Sequence, residues 1–202
     1  MSDAAAAIRA GQPVVLPTDT VYGLCGDAER EAVAHEVARL KGRAERQPIA
    51  LLAGEVDRLL ERVPELDRGP LDALLPGPYT LVLPNPRRRY PWLTGGSATI
   101  GVRIPDLPPA AAEVLGEVGA VFATSANAHG GPDPRRVEDV PEEIRAACGA
   151  VVDSGELPGT PSTVLDLTGP EPRVLREGAA PAAEALSRLR RSEPGAEATG
   201  SE

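Results

Sequence analysis

Compact apolar runs alternate along the chain with stretches in which apolar residues recur every three or four positions, a pattern that predicts strands interleaved with amphipathic helices. Asp3, the run AAAAIRA and Gly11 predict a short capped helix with a glycine stop. PVVLPT reads as a buried strand, and TDTVYGLCGD, rich in turn formers and hydroxyls, as the loop that breaks it. Over residues 29–41 the spacing of Ala32, Val33, His35, Val37 and Leu40 predicts a helix, with Gly42 as its stop and Lys41 and Arg43 at its C-terminal edge. PIALLAG predicts a strand, and residues 55–75 two short helices broken at Pro64 and at Gly69-Pro70. PGPYTLVLP runs into a strand, PRRRYPWLTGG is a basic loop, and SATIGVRIP is a strand ending at Pro105. A helix started by prolines is expected over 108–117, then AVFATSAN as a strand delivering polar residues into the loop AHGGPDP. RRVEDVPEEIRAAC is mostly helix, residues 150–179 hold three short β segments, and 182–191 form a closing helix. The last residues, RSEPGAEATGSE, have little apolar content, so we expect one domain over 1–191 and a disordered tail over 192–202. There is no internal repeat and no heptad pattern, and the alternation predicts a single α/β domain.

A chain of 202 residues buries enough surface to fold without a disulfide or metal staple. Cys25 and Cys148 lie far apart with no C-x-x-C or His-rich tract, which fits a reducing cytoplasm. The N-terminus lacks a basic n-region, and no run approaches the ~18 apolar residues of a membrane span; neither export nor a membrane partner is expected. The formal charge of −9 opposes a broad grip on nucleic acid, which needs many Lys and Arg phosphate contacts, but leaves room for a local basic pocket. Only five residues are aromatic, so the core is aliphatic and stacking platforms for bases are scarce. Of 21 basic residues, Lys41 is the one lysine; alone, it is either a chance survivor in an Arg-rich background or a group that arginine does not replace.

Common nucleotide fingerprints are missing: no G-x-x-x-x-G-K-[ST], since Leu40 precedes the one lysine, and no G-x-G-x-x-G after a strand. No G-x-S-x-G elbow occurs either, and Ser125 and His129, four apart in a loop, do not establish a hydrolytic pair. More informative are polar clusters at predicted strand ends: Thr18-Asp19-Thr20 with Tyr22, Lys41-Gly42-Arg43, Arg103, Ser125-Ala126-Asn127, Ser162-Thr163 and Arg176. Residues two apart in an extended segment share a side, so Lys41 with Arg43, and Ser125 with Asn127, are each expected to present a pair to one ligand. Arginine offers a fork for carboxylate or phosphate and lysine a mobile point charge. Spacing alone also allows ordinary solvated turns at these positions.

Six blocks then occur in order: PTDTVYGL; KGR followed by QPIALL; PGPYTLVLP; TIGVRIPD; TSAN followed by GGPDP; and PSTVLDL with RVLREGA. Over about residues 11–178 they resemble the motifs of the YrdC-like threonylcarbamoyl-AMP synthases. The resemblance implies a twisted mixed sheet flanked by helices, with a large, positively lined concave cavity. It implies an enzyme that joins L-threonine, bicarbonate and ATP into L-threonylcarbamoyladenylate, releasing pyrophosphate. The product would pass to a separate transferase complex that modifies the tRNA adenosine beside the anticodon. Mg²⁺ would accompany ATP, with no tightly held protein-bound metal. Longer members carry an additional C-terminal domain, and the 24 residues after Gly178 suggest the short form.

Carried over by position, the resemblance makes Lys41, Arg43, Ser125 and Asn127 the K-x-R and S-x-N catalytic signature. Thr20, Arg103, Ala123 and Ser162 match contacts to L-threonine; Arg43, Gln47, Thr99, Ser125 and Arg176 match contacts to ATP. Asp133 stands where some members have serine and is not assigned to the nucleotide. On this reading Lys41→Ala lowers turnover and leaves the thermal midpoint nearly unchanged. The alternative is a paralogue acting as an RNA-binding or ribosome-assembly module. Its footing is the run Arg87-Arg88-Arg89, which reads first as a solvated loop and second as a weak RNA contact.

Overall fold

The structure, a computed structural model, describes residues 1–44 and 47–192; the tail expected over 192–202 falls, from residue 193 on, outside them. Among the described residues nine strands form one mixed sheet: β1 (Val14–Pro17), β2 (Tyr22–Gly26), β3 (Ala50–Ala53), β4 (Tyr79–Pro84), β5 (Thr99–Arg103), β6 (Ala120–Ser125), β7 (Ala150–Val151), β8 (Thr163–Asp166) and β9 (Arg173–Arg176). Their order is β7-β1-β2-β6-β3-β5-β4-β8-β9. β1–β7, β3–β5 and β4–β8 are parallel and the other neighbours antiparallel. The helices are α1 (Asp3–Arg9), α2 (Glu31–Lys41), α3 (Val56–Arg62), α4 (Arg68–Leu74), α5 (Pro91–Thr94), α6 (Pro109–Val118), α7 (Glu142–Ala147) and α8 (Ala182–Ser192). The expected α/β class holds.

Four local expectations change. TDTVYGLCGD is a tight turn followed by β2, whose five residues are all buried against β1 and β6; its glycines hid a central strand. Gly69 and Pro70 do not break α4 but occupy its first turn, after the Asp67 cap, where a missing N–H leaves no helical bond unmade. The basic loop contains α5, started by Pro91 and closed by Gly95 at φ 61°. Residues 135–148 divide into a 3₁₀ turn at Val137–Asp139 and α7, because Pro141 interrupts them.

The two faces of the sheet are covered unequally. On one, Leu24, Leu51, Leu81, Val102, Phe122 and Leu165 pack with residues of α2, α3, α4, α5, α7 and α8 in the larger core. On the other, Val14, Leu16, Cys25, Leu52 and Val121 pack under α1 and α6. These two helices reach only the β7-β1-β2-β6 end and Leu52. Beyond it, alternate residues of β5, β4 and β8 line an open cleft to which no helical residue contributes.

Candidate active site

The cleft encloses about 670 Å³, within the size range of small-molecule sites. Arg103, Ala123, Ser125, Thr99, Ser162 and Arg176, all predicted site residues, line it. Strand alternation puts them there: on β5, Thr99, Gly101 and Arg103 face the cleft while Ile100 and Val102 face the core.

Arg103 is 9% exposed. Its Nη2 pairs with Asp19 Oδ1 and donates to Thr20 Oγ1 at 2.7 Å, and its Nε is buried without a partner. Burial lowers the guanidinium pKa and Asp19 opposes the shift; arginine's high intrinsic value keeps it charged. Thr20 is 0% exposed and bonds Thr18 Oγ1 at 3.0 Å. It holds Arg103 from the β1–β2 turn and is not among the residues that line the cleft. Tyr22, grouped with it by sequence, turns into the opposite core, where its hydroxyl donates toward Asp153 Oδ1 at 2.9 Å or Gly155 O at 2.8 Å.

Lys41 ends α2, and Gly42 follows at φ 63°, so the K-x-R segment is not extended and does not present a same-side pair. The Lys41 ammonium, 5% exposed, donates to Ser125 O, to Asn127 O at 2.7 Å and to Asn127 Oδ1 at 2.8 Å. Three N–H groups meet three acceptors, and Lys41 does not line the cleft. Burial pushes its pKa down to about 8, with Arg43 acting in the same direction and Asp133 against it. Ser125 and Asn127 are also not an extended pair: β6 ends at Ser125 and the chain bends. Ser125 Oγ donates to Asn127 Oδ1 at 2.6 Å, and Asn127 Nδ2 to Gly131 O at 2.6 Å. The serine hydroxyl thus bonds Asn127 and not His129.

Arg43 donates through Nη1 to Thr124 Oγ1 at 3.2 Å and through Nη2 to Gln47 O at 2.7 Å and Pro48 O at 3.1 Å. Thr124 and Pro48 line the cleft; Arg43 and Gln47 stand behind them. At the far end Ser162 Oγ meets Thr80 Oγ1 at 2.8 Å, and Arg176 Nη2 donates to Ser162 O at 2.8 Å.

Sequence reasoning did not single out Asp166, Thr168 and Arg173, which form the β8–β9 wall. Asp166 accepts from Thr168 Oγ1 at 2.6 Å and pairs with Arg173 Nη2; these bonds hold its carboxyl at about 2. The alternation in TVLDL placed Asp166 on the face of Val164, but nothing local identified that face as a cleft. In the Arg87-Arg88-Arg89 run, Arg87 and Arg89 share Glu65 and Arg88 donates to Gly96 O. Among the described residues no three His, Cys, Asp or Glu side chains gather as metal ligands.

A family model described as "Telomere recombination", covering Sua5, YciO and YrdC, matches residues 6–178. The chain is 36% identical over 179 residues to a putative threonylcarbamoyl-AMP synthase of Mycobacterium tuberculosis, covering 87% of this chain and 82% of that one. To the threonylcarbamoyl-AMP synthase of Bacillus subtilis it is 32% identical over 183 residues, spanning 88% of this chain and 53% of the relative. The crystal structure of Pyrococcus abyssi Sua5 complexed with L-threonine superposes with a TM-score of 0.84 at 33% identity, covering 92% of this chain and 56% of that one.

Proposed function

The chain belongs to the Sua5, YciO and YrdC family, and from that membership we propose that it is an L-threonylcarbamoyladenylate synthase. L-Threonine, bicarbonate and ATP give threonylcarbamoyl-AMP, pyrophosphate and water. Within the molecule, the reading rests on Arg103, a buried guanidinium on the cleft floor. An arginine fork is the group that holds a free amino acid's carboxylate.

Threonine's amine, once deprotonated, takes up carbon dioxide or bicarbonate to form a carbamate. The carbamate oxygen then bonds to the α-phosphorus while the bond to the leaving phosphate breaks and pyrophosphate takes the electron pair. Negative charge grows along that line, and Arg176 on the cleft wall is the group we assign to it. Arg43, Lys41 and Asn127 act from behind by fixing Thr124, Pro48 and the Ser125 bend, so the surface that meets the phosphates is preorganised. Thr99 and Ala123 complete the floor, with Ser162 on the side of β8. The nucleotide enters as its magnesium complex. The product is an activated carbamate, and its consumer is a transferase acting on the tRNA adenosine beside the anticodon. The relatives named threonylcarbamoyl-AMP synthase favour this reading over the RNA-binding alternative.

The test is pyrophosphate release by purified protein with magnesium, which should require ATP, L-threonine and bicarbonate together. Equal ATP consumption without threonine sinks the synthase reading.

A further inference from the structure

Gly101 lies in the middle of β5, between Thr99 and Arg103 on the strand face that lines the cleft, opposite Val82 of β4. Its backbone is not in the left-handed region that favours glycine. A Cβ placed there finds its nearest atoms, Ala50 Cα, Ala50 Cβ and Thr80 Cγ2, each at 3.7 Å, an ordinary contact. The fold therefore has room for a Cβ, which would point into the cleft. Gly26 is different, because a Cβ there would come within 2.6 Å of Phe122 Cζ and Val33 Cγ1. A glycine inside a strand weakens it, and the usual compensation is a bulge or the close approach of another group. At Gly101 the β4–β5 register is unbroken, which leaves the close approach. The neighbouring Arg103, a buried guanidinium that lines the cleft, places a fixed positive charge beside this spot.

We propose that Gly101 is a specificity-determining residue whose missing side chain makes the space in which the two substrates are joined. The proposal rests on the synthase reading above. Same-face neighbours on a strand lie ~6.6 Å apart, so Gly101 is midway between Arg103, which takes the threonine carboxylate, and Thr99 on the nucleotide side. In the product, the carboxylate carbon and the phosphorus are separated by about five bonds, roughly 6–7 Å. With the carboxylate at Arg103, that span ends one same-face position along β5, so the oxygen–phosphorus bond forms over Gly101 and Thr99 lies beyond it, toward the rest of the nucleotide. A side chain at 101 enters that junction and leaves both binding ends free.

Gly101→Val tests this, because a β-branched residue suits the strand. We expect a thermal midpoint equal to or above that of the wild type, binding of L-threonine alone and of ATP alone within threefold by calorimetry, and threonine-dependent pyrophosphate release lowered at least 100-fold. A folded variant with wild-type turnover overturns the proposal, as does one that loses binding of either single substrate as strongly as turnover. Should the valine variant fail to fold, Gly101→Thr is judged by the same readouts. The wild type is assayed first: absence of threonine-dependent release there overturns the synthase reading instead.

Discussion

Lys41 shows how one side chain's role depends on what its donors meet. Its ammonium donates to Ser125 O, Asn127 O and Asn127 Oδ1; Lys41→Ala takes this donor from the two carbonyls at about 1–3 kcal/mol per group, while Asn127 Oδ1 keeps Ser125 Oγ. The thermal midpoint should therefore fall by ~5 °C or more along with turnover, which revises the sequence expectation of an unchanged midpoint; calorimetric unfolding checks it. The pH dependence has a definite sign. Between about 8 and the ordinary 10.5 the unfolded chain holds the extra proton, so this group's share of stability rises with pH across that window and is level below it. Turnover goes the other way: the neutral amine has one N–H fewer than the three of the ammonium, and activity should decline above pH 8 as the bend loosens. Gly178, in the last motif block, is fixed by packing. A Cβ there would lie 2.6 Å from Ser162 C and closer still to Pro161 O, both backbone atoms, so Gly178→Ala should cost about 1–3 kcal/mol by overpacking, read from a urea melt. That Lys41 stands out was legible from its motif; that its ammonium bonds Ser125 and Asn127 was not, because these acceptors lie 84 and 86 residues away.

Among the elements, those with a clear period were legible. α2 and its Gly42 stop, the strands β1, β3 and β4, and the three short β segments after residue 150 lie where the sequence places them. β2 was missed because Gly23 and Gly26 dilute a strand that needs them small: Gly26 sits against Phe122 and Val33. The cleft residues on β4 and β8 were missed for another reason. Alternation sorts a strand's residues into two faces but does not say which helices cover each, and that depends on α1 and α6 stopping where they do. The β8–β9 wall carries its own prediction. The Asp166 carboxyl, held at about 2 by Thr168 and Arg173 against an ordinary 3.8, contributes stability that is fully present above pH 3.8 and lost as pH falls through about 2. Asp166→Asn should be less stable than the wild type at pH 7, with the difference closing on acidification, as followed by circular dichroism.

Across the whole molecule, the sheet is shared by both cores, so damage on one face should be felt on the other. Val121, fully buried under α1 and α6, and Trp92, packed against the larger core beyond the sheet, make this measurable. Val121→Ala should remove about 2 kcal/mol and lower the Trp92 fluorescence midpoint and the circular dichroism midpoint together; two separated transitions would show independent halves. The uneven covering of the sheet also bears on thermal stability. A complete three-layer α/β arrangement buries both faces, whereas here β5, β4 and β8 keep one face bare. A substrate bound in the proposed cleft would supply part of that third layer, and because it would bind the folded chain alone, its affinity would become folding free energy. At a hundredfold excess over Kd this adds about 2.7 kcal/mol, a rise in melting temperature of roughly 5–10 °C, so a thermal-shift series over amino acids and nucleotides ranks the ligands that complete the sandwich before any turnover is measured.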